Sequence, residues 1–244
     1  MSFEKFVIES NKASCAEAAF TLFVDAMQGF GFDSTVFSLL TDHPSIGFVS
    51  GHGIANNYPE DWMEYYLAQN YQHIDPVPKQ AFRSTRAFSW DKLIHESDLT
   101  EAETLVMNQA QEAKLLSGVG IPLYGRSMEI AGFGLACKDG GIDINDNLLS
   151  VLQAFAYQFY QVYASLIKVE QEDKIALTKR EREVLLWMAE GKTLAEIAII
   201  LNVGEETVRY YKKILFSKLK ANQQTLAVLK AIRSGLINPY RLDI

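Results

Sequence analysis

Cysteine is scarce in this chain: its 244 residues hold two, Cys15 and Cys137. Two thiols make no disulfide framework, which excludes a small secreted domain stapled by bridges. Both lie in apolar stretches and are expected to be small buried hydrophobes in a reducing compartment. Long apolar runs are missing as well. None reaches the roughly 18 residues that span a bilayer, and Met1-Ser2-Phe3-Glu4-Lys5 lacks the basic-then-apolar order of a signal peptide. The expected location is the cytoplasm, with no membrane partner. The histidines are His43, His52, His73 and His95, scattered without the spacing typical of zinc. No metal is expected, and each histidine is expected on the surface or in a loop.

What is present is ordinary: hydrophobic residues make up 48% and charged residues 22%. That composition belongs to a folded globular chain rather than a disordered or collagen-like one. The length allows one large domain or two small ones. The net charge of −7 argues against nucleic acid only when taken whole. Up to Glu170 there are 10 Lys and Arg against 21 Asp and Glu; beyond it there are 13 against 9. The reversal of sign points to separate jobs, an acidic sensor or enzyme followed by a small basic module able to approach phosphate.

Ala18, Ala19, Leu22, Phe23 and Ala26 recur at helical spacing, so the N-terminal residues read as helix up to Gly29. Strand-like runs follow at 35–40 and 46–50. Residues 59–70 read as helix, and 100–116 as another, with Thr100 and Glu103 forming a capping box. Strands are expected at 118–124 and 130–138. A long amphipathic helix is expected at 145–168, with Leu149, Leu152, Phe155, Phe159 and Tyr163 on one side. That helix is expected to serve both its own core and a partner copy. Few strands with flanking helices imply an α+β fold, an α/β/α sandwich with an antiparallel sheet over residues 1–168. Polar residues 169–176 read as a linker, and 177–244 as an all-α domain of four helices.

In that last stretch Thr178 and Glu181 form a capping box, as do Thr193 and Glu196. Gly191 is a natural left-handed end to the first helix. Leu194, Ile197, Ala198 and Leu201 share a face of the second, Asn202-Val203-Gly204 is a tight turn, and a third helix opens at Glu205. One side of the third carries Val208, Tyr211, Leu215 and Leu219, the other Arg209, Lys212, Lys213 and Lys218. Asn222 is placed to cap a fourth helix that ends at Gly235. Two helices joined by such a turn form a helix-turn-helix, whose second helix fits a DNA major groove. A four-helix bundle with a solvated basic face has the same pattern.

The residues Leu177-Thr178-x-Arg180-Glu181-x-Glu183-Val184-Leu185, then Trp187-x-Ala189-x-Gly191-Lys192-Thr193, Glu196-Ile197-Ala198 and Thr207-Val208 resemble the LuxR-type helix-turn-helix over 177–237. Glu181, Leu185 and Gly191 match that family's most typical positions. The resemblance implies double-stranded promoter DNA as a partner, met through Lys192, Thr193, Glu205, Arg209, Lys212, Lys213 and Lys218. Departures are Tyr211 for histidine, Ile214 for asparagine, Lys220 for glycine, Gln223 for arginine and Gly204 for serine. They bear on operator sequence rather than fold. Lys220 in a position that favours positive φ carries a strain of about 1 kcal/mol.

In the first part, Pro59 with Glu60 and Asp61 suits a helix start, which sets Tyr58, Trp62 and Tyr66 on one face. Asp75-Pro76 leaves that helix in extended form. Aromatic walls, polar handles and a carboxylate suit a small amphiphilic ligand. An aromatic core with a capping or solvated aspartate fits the same residues. Trp62, Tyr66, Asp75, Pro76, Trp90 and Gly118 resemble, in order and spacing, the hallmark positions of the autoinducer-binding domain of LuxR-type quorum-sensing receptors.

This second resemblance implies an N-acyl-homoserine lactone as signal, no other cofactor and no enzyme activity. It also implies a homodimer on a two-fold-symmetric promoter site, with RNA polymerase as a further candidate partner. By the same resemblance Trp62 donates to the lactone carbonyl, Tyr58 donates to the amide carbonyl, Asp75 accepts the amide N–H, and Tyr66 and Trp90 wall the ring and chain. Gly134, beside Gly132, and Gly120 stand where members carry hydroxyl residues. The expectation is a pocket open to a bulky, branched or aromatic acyl group, or indifferent to a 3-oxo oxygen. Two other readings use the same residues. One is a LuxR-type regulator that has lost lactone sensing. The other is a lactone-processing enzyme with a DNA-binding appendage, with Asp75 and His73, or His95 and Glu96, as acid–base pairs.

Overall fold

The computed structural model describes residues 1–125, 128–167 and 175–238. The chain divides into two compact units, one made of Met1–Gly125 and Glu129–Lys168, the other containing Val169–Ile244. Most of the expected linker, 169–174, and the last residue of the expected long helix lie outside the described residues.

In the first unit, strands β1 (Ser34–Leu39), β2 (Gly51–Asn56), β3 (Phe88–Ser89), β4 (Ser117–Tyr124) and β5 (Ile130–Cys137) form an antiparallel sheet ordered β2-β1-β5-β4-β3. Helices α1 (Phe3–Ser10), α2 (Ala16–Gln28) and α7 (Asp146–Leu166) cover one face. Helices α3 (Glu60–Ala68), α4 (Pro76–Ala81), α5 (Trp90–Glu96) and α6 (Glu101–Glu112) cover the other. The expected α/β/α sandwich is therefore the observed one.

Successive strand residues point to opposite faces. Phe37, Phe133 and Leu135 go to the α2 and α7 side, where Phe23 stacks on Phe133 at 4.2 Å and Phe159 meets Phe37 at 5.1 Å. Helix α7 brings Leu152, Phe155, Phe159 and Tyr163 to that core at helical spacing. Asn145 caps its start by accepting the Leu148 N–H at 3.1 Å. The apolar face of α7 thus lies within its own unit. Left exposed on the helix are Asp146, Asn147, Ser150, Val151, Ala154, Gln161 and Ser165. The surface expected to serve a partner copy as well is mostly small or polar.

Some expectations shift. The first helix is two, because the chain turns between Ser10 and Ala16 and lays α1 against α7, where Gln158 donates to Ser10 Oγ and Asn11 Oδ1. The run at 46–50 is no strand. It is a turn closed by the bridge between His43 and Phe48, and the edge strand begins at Gly51. Cys15 is exposed, whereas Cys137 is buried as expected. His43 is not on the surface: it is fully buried, with Nε2 3.1 Å from the Ile130 carbonyl and Nδ1 3.1 Å from the Tyr160 hydroxyl. Beside it the Glu129 carboxylate accepts the Ser45 N–H and hydroxyl at 2.8 and 2.7 Å. These bonds satisfy polar groups inside the fold and pin the 41–48 loop to the start of β5.

The second unit is α8 (Lys179–Ala189), α9 (Leu194–Leu201), α10 (Glu205–Lys218) and α11 (Gln224–Arg233) around Leu185, Ile197, Val208, Leu215 and Ala227. Both capping boxes are formed. Gly191 has φ +75° and open space where a Cβ would stand, so backbone conformation alone asks for glycine there. Asn202 takes the left-handed conformation that turns α9 into α10. Asn222 does not cap α11: Gln223 holds that position, without a side-chain hydrogen bond. Among the described residues no helix is long and apolar enough to cross a membrane.

Lys220 has φ +47°, the left-handed conformation that penalises a side chain. Lys220→Gly is expected to raise stability by about 0.5–1 kcal/mol, the strain relieved less the added freedom of the unfolded chain. Denaturant titration of the full chain checks this, and an unchanged or lower midpoint contradicts it.

Candidate functional site

The sheet face under α3 to α6 is lined with small residues. Gly120 and Gly134 are register partners across β4 and β5, with Gly132 next along β5. Over them the aromatic residues enclose a narrow cavity of about 60 Å³, lined by Tyr58, Trp62, Tyr66, Asp75, Trp90 and Gly134, with Val36, Ser38 and His52 from β1 and β2.

Trp62 and Tyr66 stand one turn apart on α3, both buried, with rings 5.8 Å apart. Tyr58 lies just before Pro59, which occupies the cap position of α3 rather than its first turn. Asp75 caps α4: Oδ1 accepts the Val77 N–H at 2.8 Å, and Oδ2 accepts the Tyr66 hydroxyl at 2.9 Å. The aspartate is thus a cap and a cavity wall at once. Trp90 opens α5, and its indole N–H is buried without a partner among the described residues.

Gly118 is absent from the cavity wall. A Cβ there would lie 2.6 Å from the Trp90 ring and would collide with the Leu135 carbonyl, so the glycine lets the indole lie flat on the strand. The room expected beside the other glycines is filled. A Cβ at Gly120 would collide with the Phe88 ring, and one at Gly134 would meet Val36 at 2.9 Å and the Tyr58 hydroxyl at 3.0 Å. These glycines admit neighbouring side chains rather than extra ligand volume.

Burial pushes the Asp75 carboxyl up to about 6, against the pull of the Val77 amide, the Tyr66 hydroxyl and Lys79. Burial, helped by the Asp75 charge, raises Tyr58 and Tyr66 far above the ordinary phenol value, so both keep their protons and remain donors. Lys79 bonds Glu103 at 2.7 Å, tying α4 to α6 and holding Glu103 down to about 2. His52 is neutral, because burial pulls it down to about 4, and it stacks on Tyr66 at 4.5 Å. Sequence reasoning missed Ser38 and His52. Ser38 shares the strand face of Val36, a signal available from alternation; the Gly51-His52-Gly53 edge strand has no such signal.

The second unit distributes its charges unevenly. Glu181 Oε2 accepts the Thr178 N–H at 2.8 Å and the Lys218 ammonium at 2.7 Å; burial pushes its pKa up, but these partners outweigh it and hold the group below its ordinary value. Lys218 also donates to the Ala176 carbonyl at 2.9 Å, so it is tied into the unit rather than free on the helix face. Leu185 is fully buried. Thr193 is an exposed cap residue bound to Glu196, and Lys192 is half-buried. On α10, Arg209 pairs with Glu205 at 2.9 Å and Glu206 at 3.3 Å, Lys212 lies over the Phe216 ring, and Lys213 is exposed. Tyr210, which sequence reasoning passed over, is 62% exposed on the same helix.

A small-molecule pocket in one unit and a helix-turn-helix in the other define a two-domain regulator. Residues 16–161 match the family described as Autoinducer binding domain, and residues 176–231 the one described as Bacterial regulatory proteins, luxR family. The chain belongs to the LuxR family of quorum-sensing transcriptional regulators. It is 33% identical over 184 residues to RpaR of Rhodopseudomonas palustris, an HTH-type quorum sensing-dependent transcriptional regulator, over 75% of this chain and 74% of that one. It is 32% identical over 184 residues to y4qH of Sinorhizobium fredii, over 74% of this chain and 56% of that one. The crystal structure of Escherichia coli SdiA is similar with a TM-score of 0.75 at 26% identity, over 96% of this chain and 97% of that one. SdiA in complex with octanoyl-rac-glycerol gives a TM-score of 0.74 at 26% identity, over 96% and 94%.

The raised pKa of Asp75 carries a stability consequence. The stability contributed by its neutral form is full below about pH 4 and is lost as pH rises through about 6. At neutral pH the buried charge costs up to about 3 kcal/mol. Asp75→Asn keeps an oxygen for the Val77 N–H and removes the charge. Without ligand it is expected to melt above the wild type at pH 7 to 8, with the gap closing towards pH 4. Thermal melts that coincide across that range contradict the assignment.

Proposed function

We propose that the protein is a receptor for an N-acyl-homoserine lactone and that, as a homodimer, it binds a two-fold-symmetric promoter site. The observation that carries this reading is the convergence of one carboxylate acceptor and several hydroxyl and indole donors on a single apolar cavity. An acyl amide needs an acceptor for its N–H and a donor for its carbonyl; a lactone ring needs a further donor. Asp75 accepts the amide N–H, Tyr58 donates to the amide carbonyl, Trp62 donates to the lactone carbonyl, and Tyr66 and Trp90 wall the ring and chain. A hydrogen bond to a charged acceptor contributes about 1.5–3 kcal/mol, and each buried methylene about 0.8 kcal/mol. The SdiA complex with octanoyl-rac-glycerol supports an acyl chain on a small polar head as the chemistry that this pocket takes. A ligand that binds only the folded unit stabilises it by mass action.

At the second unit, Arg209, Lys212 and Lys213, with Lys192, Thr193 and Glu205, are the groups we assign to DNA. Arg209 exchanges its glutamates for phosphate on binding, and Lys218 stays with Glu181. A two-fold dimer places two such helices on half-sites about one helical turn apart.

Asp75→Ala is expected to weaken lactone binding tenfold or more in titration calorimetry, a loss of about 1.4 kcal/mol or greater; an unchanged affinity removes Asp75 from the site. With lactone, the wild-type chain is expected to sediment as a dimer and to retard a palindromic promoter fragment. Equal retardation without lactone favours a regulator that has lost sensing.

A further inference from the structure

A cavity of about 60 Å³ falls far short of the about 300–1,000 Å³ of pockets that enclose small ligands. Part of its wall must move before an acylated lactone can enter. Two stretches of that wall are pinned by polar bonds: the Tyr66 hydroxyl donates to Asp75 at 2.9 Å, and Ser38 Oγ lies 3.2 Å from His52 Nδ1. Phe88 is held differently. Its ring rests on Gly120 through shape alone, and its strand β3 is two residues long at the outer edge of the sheet. Beyond that edge lies a second hollow, a cleft of about 290 Å³ between the end of α4, helix α5 and the start of α7. Buried Leu93 and Leu149 give it an apolar side, and Arg86, Lys92, Glu96 and Asp146 are exposed to solvent around it. No strand pairs with the open side of β3. The Gln153 side chain of α7 takes a strand's place there, accepting the Ala87 N–H at 3.0 Å and donating to the Thr85 carbonyl at 2.7 Å. Among the described residues Phe88 alone lines both the cavity and the cleft. At this point one residue stands between the enclosed site and a hollow open to water.

We propose that Phe88 is the gate of the ligand cavity: its ring swings off Gly120 into the cleft beyond β3, the lactone passes through the opening, and the ring closes behind it. The proposal rests on the lactone reading and adds the route by which that ligand enters and leaves. Rotation of the side chain breaks no hydrogen bond, and Gln153 keeps the backbone of the edge in place while the ring moves. The ring exchanges one apolar contact for another, Gly120 for Leu93 and Leu149, so little apolar surface is left in water on opening. Gly120 is the seat to which it returns, since a Cβ there would collide with the ring.

A gate acts on the path and leaves the two end states alone, so it changes the rates of binding and release by one factor and the affinity not at all. The test measures both rates on the full chain with hexanoyl-, octanoyl- and dodecanoyl-homoserine lactones, release being followed as labelled lactone exchanges into an excess of unlabelled. Ser97→Trp places a bulky ring in the cleft from an exposed position at the end of α5, away from the inner cavity. It is expected to slow binding and release alike by at least about tenfold, with Kd unchanged within about twofold. Phe88→Ala removes the gate and is expected to speed both rates by at least about tenfold; Ser97→Trp carries the test if that chain does not fold. Wild-type rates in Ser97→Trp, or a slower association with unchanged release, overturn the gate and leave the lactone reading standing. A wild-type chain that binds none of the three lactones overturns both.

Discussion

Asp75 sits where an ionised carboxylate has lost much of its water, and a pKa pushed up to about 6 records that penalty. Much of the second face of the sheet is arranged around it. The start of α4 offers the Val77 amide to one oxygen, and α3 offers the Tyr66 hydroxyl to the other. Lys79 adds favourable charge while bonded to Glu103 of α6. These contacts make the charge tolerable without neutralising it. They also leave a strong acceptor on the wall of an apolar cavity. The carboxylate whose charge burial penalises also lies on the cavity wall, a conflict common at functional sites.

The sheet acts as a partition between two kinds of packing. Along β5, Phe133 and Leu135 face a dense aromatic core while Gly132 and Gly134 face the cavity. A two-residue period makes this division automatic, and glycine on one side lets whole rings approach the backbone. Trp90 on Gly118 and Phe88 on Gly120 are both consequences. The aromatic lining is therefore set by the strands beneath it as much as by the helices that carry it. His52 belongs to the same logic, since its place against Tyr66 comes from an edge strand and not from α3.

In the helix-turn-helix unit, charge serves two ends. Lys218 and Glu181 lock α10 to the start of α8, and the bond makes the typical glutamate of that position structural. Arg209 is held by Glu205 and Glu206 on its own helix. A basic residue on an outer helix face is thus no measure of free positive charge. Lys213 and Tyr210 present themselves to solvent more openly than the helical pattern alone suggests.

Local signals in the sequence were enough for much of this. The boxes at Thr100, Thr178 and Thr193 depend on residues three apart in the chain, and the helices they open begin where the pattern puts them, although the one at Thr100 ends at Glu112, short of the expected Leu116. The glycine at 191, the long α7 and the hairpin strands β4 and β5 were legible for the same reason. Elsewhere the pattern failed. Residues 46–50 look like a strand but close a turn, and Asn222 looks like a cap but leaves that position to Gln223. His43 looks like a loop histidine, but Tyr160 and the Ile130 carbonyl, far along the chain, make its burial affordable. The pocket divides in the same way. Tyr58, Trp62, Tyr66, Asp75 and Trp90 could be named from their order and spacing, because one helix and its flanks present most of them. That Gly118 supports an indole, that Phe88 and Tyr58 fill the room over the glycines, and that Ser38 orients His52 were decided only by tertiary structure. Each is a contact between strands or between strand and helix, and no periodicity within a segment encodes which atoms of another segment will lie against it.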